Sequence, residues 1–430
     1  MNNSTIRRDY YLQKLIDRKD NGLVKVVTGI RRCGKSYLLF NIFYDFLISI
    51  GIKPEQIITI ALDDDNQLQY REPDKLSAYI RSQLKNEGKY YILIDEVQYA
   101  ISKEELRNPD EIRLYNVLNG LLRLRNVDIY VTGSNSKMLT KDVMTVFRGR
   151  GDEVKIYPLS FKEYYDYVGG DKRDAYEEYA LYGGMPLVLS KRNDADKRNY
   201  LKNLFTETYF KDISERYEIV LPNVMEELTD DLCSSIGSLT NASKIERTLN
   251  SVKNMKVSSM TIAKYLNYLV ESFLFEKSNR YDVKGKKYFE FPSKYYCTDI
   301  GLRNARLNFR QQEESHIMEN IIYNELLHCD YAVDVGVVEI REKENGKQVK
   351  KQSEIDFVVN AAPQKYYIQS ALNVEDSEKM DTELRPLKKV NDFFKKIIIT
   401  KTNAKPWTDE AGILHLGLYD FLLNENPLEL

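Results

Sequence analysis

Cysteine and histidine are scarce in this sequence, and their scarcity excludes several kinds of site. Only three histidines occur in the 430 residues, too few for a histidine-rich metal centre. The cysteines form no CxxC pair, so we expect neither a structural zinc site nor a disulfide framework. These cysteines are Cys33, Cys233, Cys297 and Cys329.

Long apolar runs and an excess of one charge are also missing. No run approaches the ~20 residues of a membrane-spanning helix, and the opening residues, MNNSTIRRDYYLQKL, carry no apolar signal segment. Lysine and arginine number 63 against 65 for aspartate and glutamate, a formal net charge of −2. We therefore expect a cytoplasmic protein without membrane association, in which a nucleic-acid partner would need a local basic face.

One short segment, TGIRRCGKS at residues 28–36, has the composition of a phosphate-binding loop. It fits G-x-x-x-x-G-K-[ST], follows the apolar strand LVKVV and precedes an apolar helix. The glycines let backbone N–H groups turn toward phosphates, and the helix N-terminus adds the positive end of its dipole. The alternative is a glycine turn that caps a helix. The residues predicted to bind ATP are Gly29, Ile30, Arg31, Arg32, Cys33, Gly34, Lys35, Ser36 and Tyr37.

Within that loop, two side chains have specific predicted roles. Lys35 is expected to contact the β- and γ-phosphates during catalysis, and the Ser36 hydroxyl to bind Mg²⁺. The strand YYILIDEVQ at residues 90–98 ends in two acids. Asp95 is expected to hold Mg²⁺ through water, and Glu96 to orient or polarise the attacking water. Both cofactors, ATP and Mg²⁺, follow from these two segments.

A third polar cluster follows the strand VDIYVT in VDIYVTGSNSKML. Asn135 is the candidate for a sensor of the γ-phosphate or of the attacking water, with Ser134 and Thr132 as rivals. An ordinary helix cap by Ser134 or Asn135 is the alternative. Further on, TVFRGRGDE offers Arg148 and Arg150, either as arginine fingers for a neighbouring subunit or as a solvated pair in a turn.

Five apolar strands separated by helical stretches predict a mostly parallel α/β sheet. The strands are LVKVV, IITIAL, YYILIDE, VDIYVT and EVKIYPLS. Ligands of such sheets bind at the carboxyl ends of the strands, which is where the polar clusters fall.

Several of these segments together resemble a bacterial and archaeal family of AAA-like ATPases. They are VVTGIRRCGKS, ILIDEVQ, YVTGSNSKML, YPLSFKEYYDY and LYGGMP. Members of that family carry a C-terminal region related to restriction endonucleases. The resemblance implies an ATPase, and with the arginines above it implies a homo-oligomer. YGGMP is expected to form a tight turn between helices.

The predicted α/β architecture has four parts in chain order. Residues 1–165 form an AAA-like P-loop ATPase core, and residues 166–235 a helical lid and connector. Residues 236–305 form a winged helix-turn-helix, because two short helices precede a strand, a glycine turn and a strand. Residues 306–430 form a catalytically degenerate restriction-endonuclease-like domain.

Basic residues gather around the glycine turn of the third part. The predicted wing tip carries Lys284, Lys286 and Lys287, which we expect to contact DNA phosphates. Lys277, Arg280 and Lys294 and the tyrosines Tyr281, Tyr288, Tyr295 and Tyr296 extend this basic and aromatic cluster. The alternative is a hairpin that lysines make soluble and that packs against another subunit.

The last part retains only some residues of the nuclease pattern D…(D/E)-x-K that the resemblance implies. Asp356 matches the first acid, and Glu319 or Glu325 the helix acid, while Gln369-Ser370-Ala371 stand where the Glu-x-Lys triplet belongs. Glutamine is a weak ligand for a hard cation, so we expect nuclease activity to be lost. Glu354 shares the strand face of Asp356 and could substitute.

Three functions are compatible with this sequence. The leading hypothesis is an ATP-hydrolysing AAA-like ATPase that acts on or with DNA. The alternative is a nucleotide-dependent signalling or assembly switch that binds a protein partner. The third is an active Mg²⁺-dependent nuclease. DNA binding by the lysine-rich turn distinguishes the first two.

Overall fold

The structure is a computed structural model of the chain that describes residues 6–85, 88–102, 104–105, 112–133, 150–344, 347–372 and 377–429. It divides into two compact units, residues 1–158 with 271–273, and residues 159–270 with 274–430. None of the helices in the described ranges combines the length and the apolar character that a membrane crossing requires.

The first unit contains a five-stranded parallel sheet in the order β2-β3-β4-β1-β5. The strands are β1 Val24–Thr28, β2 Ile57–Ala61, β3 Tyr90–Asp95, β4 Val127–Gly133 and β5 Gly151–Lys155. The helices are α1 Asp9–Asp17, α2 in the consecutive segments Lys35–Tyr37, Leu38–Phe43 and Tyr44–Ser49, α3 Pro73–Gln83 and α4 Arg113–Leu122. Shorter 3-10 helices cover Pro54–Gln56, Asp65–Arg71 and Val97–Ala100. The predicted P-loop AAA-like parallel sheet is confirmed.

The three central strands of this parallel sheet are buried on both faces. Every residue of β1, β3 and β4 is buried, as expected when helices cover both sides of a sheet. Because β4 lies between β1 and β3, the ends of these three strands are neighbours. The residues that follow them therefore meet at one edge.

The second unit is built around a nine-stranded mixed sheet in the order β13-β14-β12-β11-β10-β9-β7-β8-β6. Its strands are β6 Leu239–Thr240, β7 Phe275–Asp282, β8 Lys287–Cys297, β9 Ala332–Glu344, β10 Lys347–Ala361, β11 Gln364–Ala371, β12 Lys395–Thr400, β13 Trp407–Thr408 and β14 Ile413–Gly417. The pairs β7–β9, β11–β12 and β12–β14 are parallel and the other pairs are antiparallel.

Helices precede, interrupt and follow this sheet along the chain. They are α5 Phe161–Val168, α6 Lys172–Tyr182, the 3-10 helix Pro186–Ser190, α7 in the consecutive segments Asp194–Asn203, Leu204–Phe210 and Lys211–Arg216, α8 Pro222–Ser234, α9 Ala242–Val252, α10 Ser259–Glu271, α11 Ile300–Arg306, α12 Glu314–His328, α13 Ser377–Lys389 and α14 Leu418–Leu423. Because β7 pairs with β9, the strands of the third and fourth predicted parts share one sheet. The four-part division stays a prediction.

The YGGMP segment is a turn between α6 and the short helix Pro186–Ser190 that encloses a buried carboxylate. Asp299 caps α11 by accepting from the Leu302 N–H at 2.9 Å, and it accepts from the Gly184 N–H at 2.7 Å. Burial raises the pKa of Asp299 to about 6, and the backbone N–H donors oppose that rise. The turn therefore joins α6 to α11.

Candidate functional site

The loop between β1 and α2 has the backbone that its glycines predict. Gly29 and Gly34 adopt φ angles of +143° and +103°, in the region that favours glycine. A side-chain carbon at Gly29 would lie 2.2 Å from the Ile156 carbonyl oxygen, so the loop has room for no side chain there. The loop therefore wraps tightly at the carboxyl end of β1.

The Lys35 side chain lies inside this loop. Only 3% of the residue is exposed, and its Nζ donates to the Gly29 and Ile30 carbonyl oxygens at 3.0 Å each. These two bonds hold the ammonium group in the curve of the loop. The Lys35 ammonium group therefore lies where the phosphates of a nucleotide would lie in such a loop.

Arg8 supports the loop from outside, and sequence reasoning missed it. Its guanidinium is buried and donates to the Cys33 carbonyl at 3.0 Å and to the Tyr157 carbonyl at 2.8 Å. Burial also raises the pKa of the Cys33 thiol, so this loop cysteine stays protonated. No local pattern indicates the role of Arg8, because both of its partners are distant in sequence.

Polar side chains from three elements meet beside the loop. The Ser36 hydroxyl, at the start of α2, donates to the Asp95 carboxylate at the end of β3. The Thr132 hydroxyl on β4 also donates to Asp95 and accepts from the backbone N–H of Glu96, the latter at 3.0 Å. Burial raises the pKa of Asp95, and these two donors oppose the rise. Thr132 therefore holds the Asp95 carboxylate and the Glu96 backbone in place.

Glu96 has an unusual backbone for a residue with a side chain. Its φ angle is +54° and only 9% of the residue is exposed. Its carboxylate accepts from the side chain of Gln98, the second residue of the 3-10 helix that follows. A left-handed backbone at a non-glycine residue costs free energy and is common at functional sites.

The oxygen donors at this edge suit Mg²⁺. Ser36 supplies a hydroxyl and Asp95 a carboxylate, both hard ligands, and the two already contact each other. Magnesium sites of this kind use one or two carboxylates and complete the shell with water and substrate phosphates. The residues present therefore fit the predicted cofactor.

Other predicted site residues lie further out or outside the described residues. Arg31 donates to the Tyr99 hydroxyl at 3.3 Å; Arg32 and Tyr37 are exposed. Asn135, its rival Ser134 and the finger candidate Arg148 fall outside the described residues. Thr132, the remaining rival for the sensor position, is the residue bonded to both acids.

Arg150 is described, and it lies at the far edge of the sheet. Its carbonyl accepts from the N–H of Val24 at the start of β1. The five residues of β5 separate it from the loop side, a rise of ~16 Å along the strand. Arg150 therefore cannot contact a nucleotide bound in its own loop, and a role toward a neighbouring subunit stays a prediction.

In the second unit the predicted wing tip is a hairpin turn between β7 and β8. Lys284, Lys286 and Lys287 are all exposed. The Asp282 carboxylate orders the turn by accepting from the N–H groups of Lys284 at 3.1 Å and Gly285 at 2.8 Å. The tip therefore presents three lysines on a defined turn.

Four members of the predicted basic and aromatic cluster do not belong to this surface. Arg280, Lys294, Tyr295 and Tyr296 are all buried, with at most 7% exposed. Inclusion of these residues was wrong because both faces of β8 are buried from Ser293 to Cys297, so side chains that alternate between the two faces are covered on either side. Lys294 instead contacts three acids.

The two candidates for the helix acid of the nuclease pattern, Glu319 and Glu325, make different contacts. Glu319 lies near Asp356, and it accepts from the Tyr296 hydroxyl at 2.7 Å and the Lys294 ammonium at 3.0 Å. Glu325 lies elsewhere on α12 and accepts from the Phe161 backbone N–H at the start of α5. Glu319 is thus the acid that faces Asp356.

The buried Glu325 carboxyl makes the stability of the second unit depend on pH. Burial, with a smaller contribution from Glu163, raises its pKa to about 8 from an ordinary 4.5. The folded state therefore binds a proton more tightly than the unfolded chain, and stability is lost as pH rises from about 4.5 to 8. We expect Glu325→Gln to raise the free energy of unfolding by about 1–3 kcal/mol at high pH.

Urea unfolding of Glu325→Gln and the parent protein at pH 5 and pH 8 measures this effect. The stabilisation should be much larger at pH 8 than at pH 5. Glu410→Gln, at an exposed position, is the control and should change little at either pH. Equal stabilisation by Glu325→Gln at both values would contradict the assigned cause.

Comparison with known proteins identifies an AAA domain in this chain. Residues 21–165 match an AAA domain family and residues 173–313 match a domain of unknown function. A solved Walker-type ATPase of Pyrococcus abyssi superposes with a TM-score of 0.49 at 17% identity, covering 71% of this chain and 97% of that chain.

Two curated relatives are similar over most of this sequence. An uncharacterized protein of Methanocaldococcus jannaschii is 29% identical over 82% of this chain and 75% of its own length. An uncharacterized protein of Haemophilus influenzae is 32% identical over 98% of this chain and 100% of its own length. The chain therefore belongs, with the Haemophilus protein, to the family of AAA-like P-loop ATPases whose ATPase domain precedes a region of unknown function.

Proposed function

We propose that this protein binds and hydrolyses ATP at the edge of the first sheet, in a site formed by the Gly29–Ser36 loop, Asp95 and Glu96. The observation that carries the proposal is the contact between Ser36 and Asp95 beside the buried Lys35. A loop lysine, a hydroxyl and a carboxylate at neighbouring strand ends are the groups that hold a nucleotide triphosphate with its cation.

Each side chain has a definite task in this proposal. Lys35 exchanges its two carbonyl acceptors for phosphate oxygens, since an ammonium group prefers an anionic partner. Ser36 and Asp95 would hold Mg²⁺, which would neutralise negative charge on the transferred phosphoryl group. Glu96 orients the attacking water and accepts its proton. Thr132 keeps Asp95 and Glu96 in place through its hydroxyl.

Lys35→Ala is expected to weaken ATP binding by about 10–100-fold, since it removes a charge-assisted contact of about 1.5–3 kcal/mol. Hydrolysis should fall with it. Titration with a fluorescent ATP analogue measures the affinity, and Lys75→Ala, at an exposed position on α3, is the control. Wild-type affinity and hydrolysis in Lys35→Ala would refute the site.

We further propose that the second unit contacts DNA through α9, α10 and the β7–β8 hairpin. Two helices followed by a hairpin have the order of a winged helix. Met260, Lys264 and Asn267 are exposed at spacings that place them on one face of α10. Lysine and asparagine can bond to phosphates and base edges, and the hairpin lysines add positive charge.

Lys286→Glu with Lys287→Glu is expected to weaken DNA binding at least tenfold at low salt, and to flatten the dependence of affinity on salt. Fluorescence anisotropy with a labelled duplex at several salt concentrations measures both. Lys75→Glu with Lys85→Glu makes the same charge change on the first unit and should bind as the parent does. Absence of DNA binding would favour the nucleotide-dependent switch with a protein partner.

Assembly into a homo-oligomer is part of the same proposal. Arg148 and Arg150 lie in one short segment, and Arg150 is exposed at the edge opposite its own loop. An arginine at that edge can contact only a nucleotide that is bound to another copy of the chain. Mass measurement with and without a nonhydrolysable ATP analogue tests whether ATP controls assembly.

A further inference from the structure

A lysine ammonium group is buried among carboxylates in the second unit. Lys294, on β8, is 5% exposed. Its Nζ lies 3.0 Å from Glu319 Oε1, 3.7 Å from Glu354 Oε2 and 3.7 Å from Asp356 Oδ1. The acids come from α12 and β10, so three elements converge on one ammonium group.

Two of these acids, Glu319 and Asp356, are those that the nuclease resemblance assigns to a divalent cation. While the Lys294 ammonium group lies between these acids, a divalent cation does not fit the groups present. Gln369 replaces the second strand acid, and its amide is engaged, donating to Glu383 at 2.9 Å. Asp356 Oδ2 accepts from the Ser370 N–H at 2.9 Å. Over the described ranges, no group of three or more His, Cys, Asp and Glu side chains is arranged to hold a metal ion.

The ammonium group supplies the positive charge that these acids require. Burial alone would lower the pKa of Lys294, but Glu319, Asp356 and Glu354 outweigh it and the pKa is raised. Arg280 adds a second cation, with its Nε 3.7 Å from Glu354 Oε1. Isolated buried carboxylates are costly, so a fixed cation between them is needed for the fold.

We propose that the Lys294 ammonium group occupies the position of the divalent cation between Glu319 and Asp356, so that the second unit is a permanently metal-free scaffold. The proposal rests on the proposed relation of this unit to restriction endonucleases. The lysine also ties β8, which carries one side of the lysine-rich hairpin, to α12 and β10. The hairpin is thereby anchored by an internal cation that cannot dissociate.

Manganese binding to the full-length protein without nucleotide tests this proposal. Electron paramagnetic resonance counts bound Mn²⁺ in the parent protein, Asp356→Asn, Lys294→Met and the double variant. We expect the same count in the parent and Asp356→Asn. Lys294→Met should bind one additional ion, which the double variant loses again. Lys277→Met, at an exposed position of the adjacent strand β7, is the control and should gain none.

Two results would overturn the proposal. One is a lower Mn²⁺ count in Asp356→Asn than in the parent protein, because a metal would then share the pocket with Lys294. The other is a folded Lys294→Met that gains no ion. If Lys294→Met does not fold, the Mn²⁺ counts of the parent protein and Asp356→Asn still test the proposal. None of these counts depends on ATP hydrolysis, so failure here is distinct from failure of the proposed ATPase site.

Discussion

Glu96→Gln is expected to lower the rate of ATP hydrolysis by about 100-fold or more while ATP affinity stays nearly unchanged. The amide keeps the size of the side chain and an oxygen acceptor for Gln98. It has no negative charge and cannot accept a proton from water at neutral pH. Lys35, Ser36 and Asp95, which hold the nucleotide in our proposal, remain intact.

Single-turnover hydrolysis and equilibrium binding of ATP separate the two quantities. Glu55→Gln makes the same chemical change at an exposed position and should keep the parent rate. A loss of nucleotide binding in Glu96→Gln would mean that the residue holds the nucleotide rather than the water. Retention of the parent rate would remove Glu96 from the mechanism.

Gly184→Ala is expected to lower the free energy of unfolding of the second unit by at least about 3 kcal/mol. The added carbon would lie 2.2 Å from the Leu159 carbonyl oxygen. That oxygen belongs to the backbone, so no side chain can rotate away. To relieve this clash, the backbone would have to move. That movement would break the 2.8 Å hydrogen bond from the Leu159 N–H to the Gly184 carbonyl oxygen, or the hydrogen bond from the Gly184 N–H to Asp299.

Thermal and urea unfolding of the full-length protein measure this loss. Gly120→Ala is the matched control, because Gly120 lies inside α4 and an added carbon there meets only a flexible arginine end at 3.7 Å. Alanine is favoured over glycine within helices, so this control should be neutral or slightly stabilising. Equal stability of Gly184→Ala and the parent protein would show that the turn can move without cost.

The proposed nucleotide site was largely predictable from sequence because the residues that form it are close together along the chain. The loop glycines, Lys35 and Ser36 lie within eight consecutive residues, the strand before Asp95 is apolar throughout, and the strand before the loop is apolar except for Lys25. A local pattern fixes the loop's backbone, and parallel strands bring their carboxyl ends to one edge. Thr132 was only one of three rivals, because its bond to Asp95 depends on β4 lying between β1 and β3.

The sequence by itself determined the parallel α/β sheet, the phosphate-binding loop and the acids Asp95 and Glu96, because neighbouring residues specify each of them. Tertiary structure alone decided that Arg8 supports the loop, that Glu319 and not Glu325 faces Asp356, and that Lys294 lies among acids. The physical reason is that these contacts join residues 23 or more positions apart. Chain folding creates such contacts, and no local spacing encodes them.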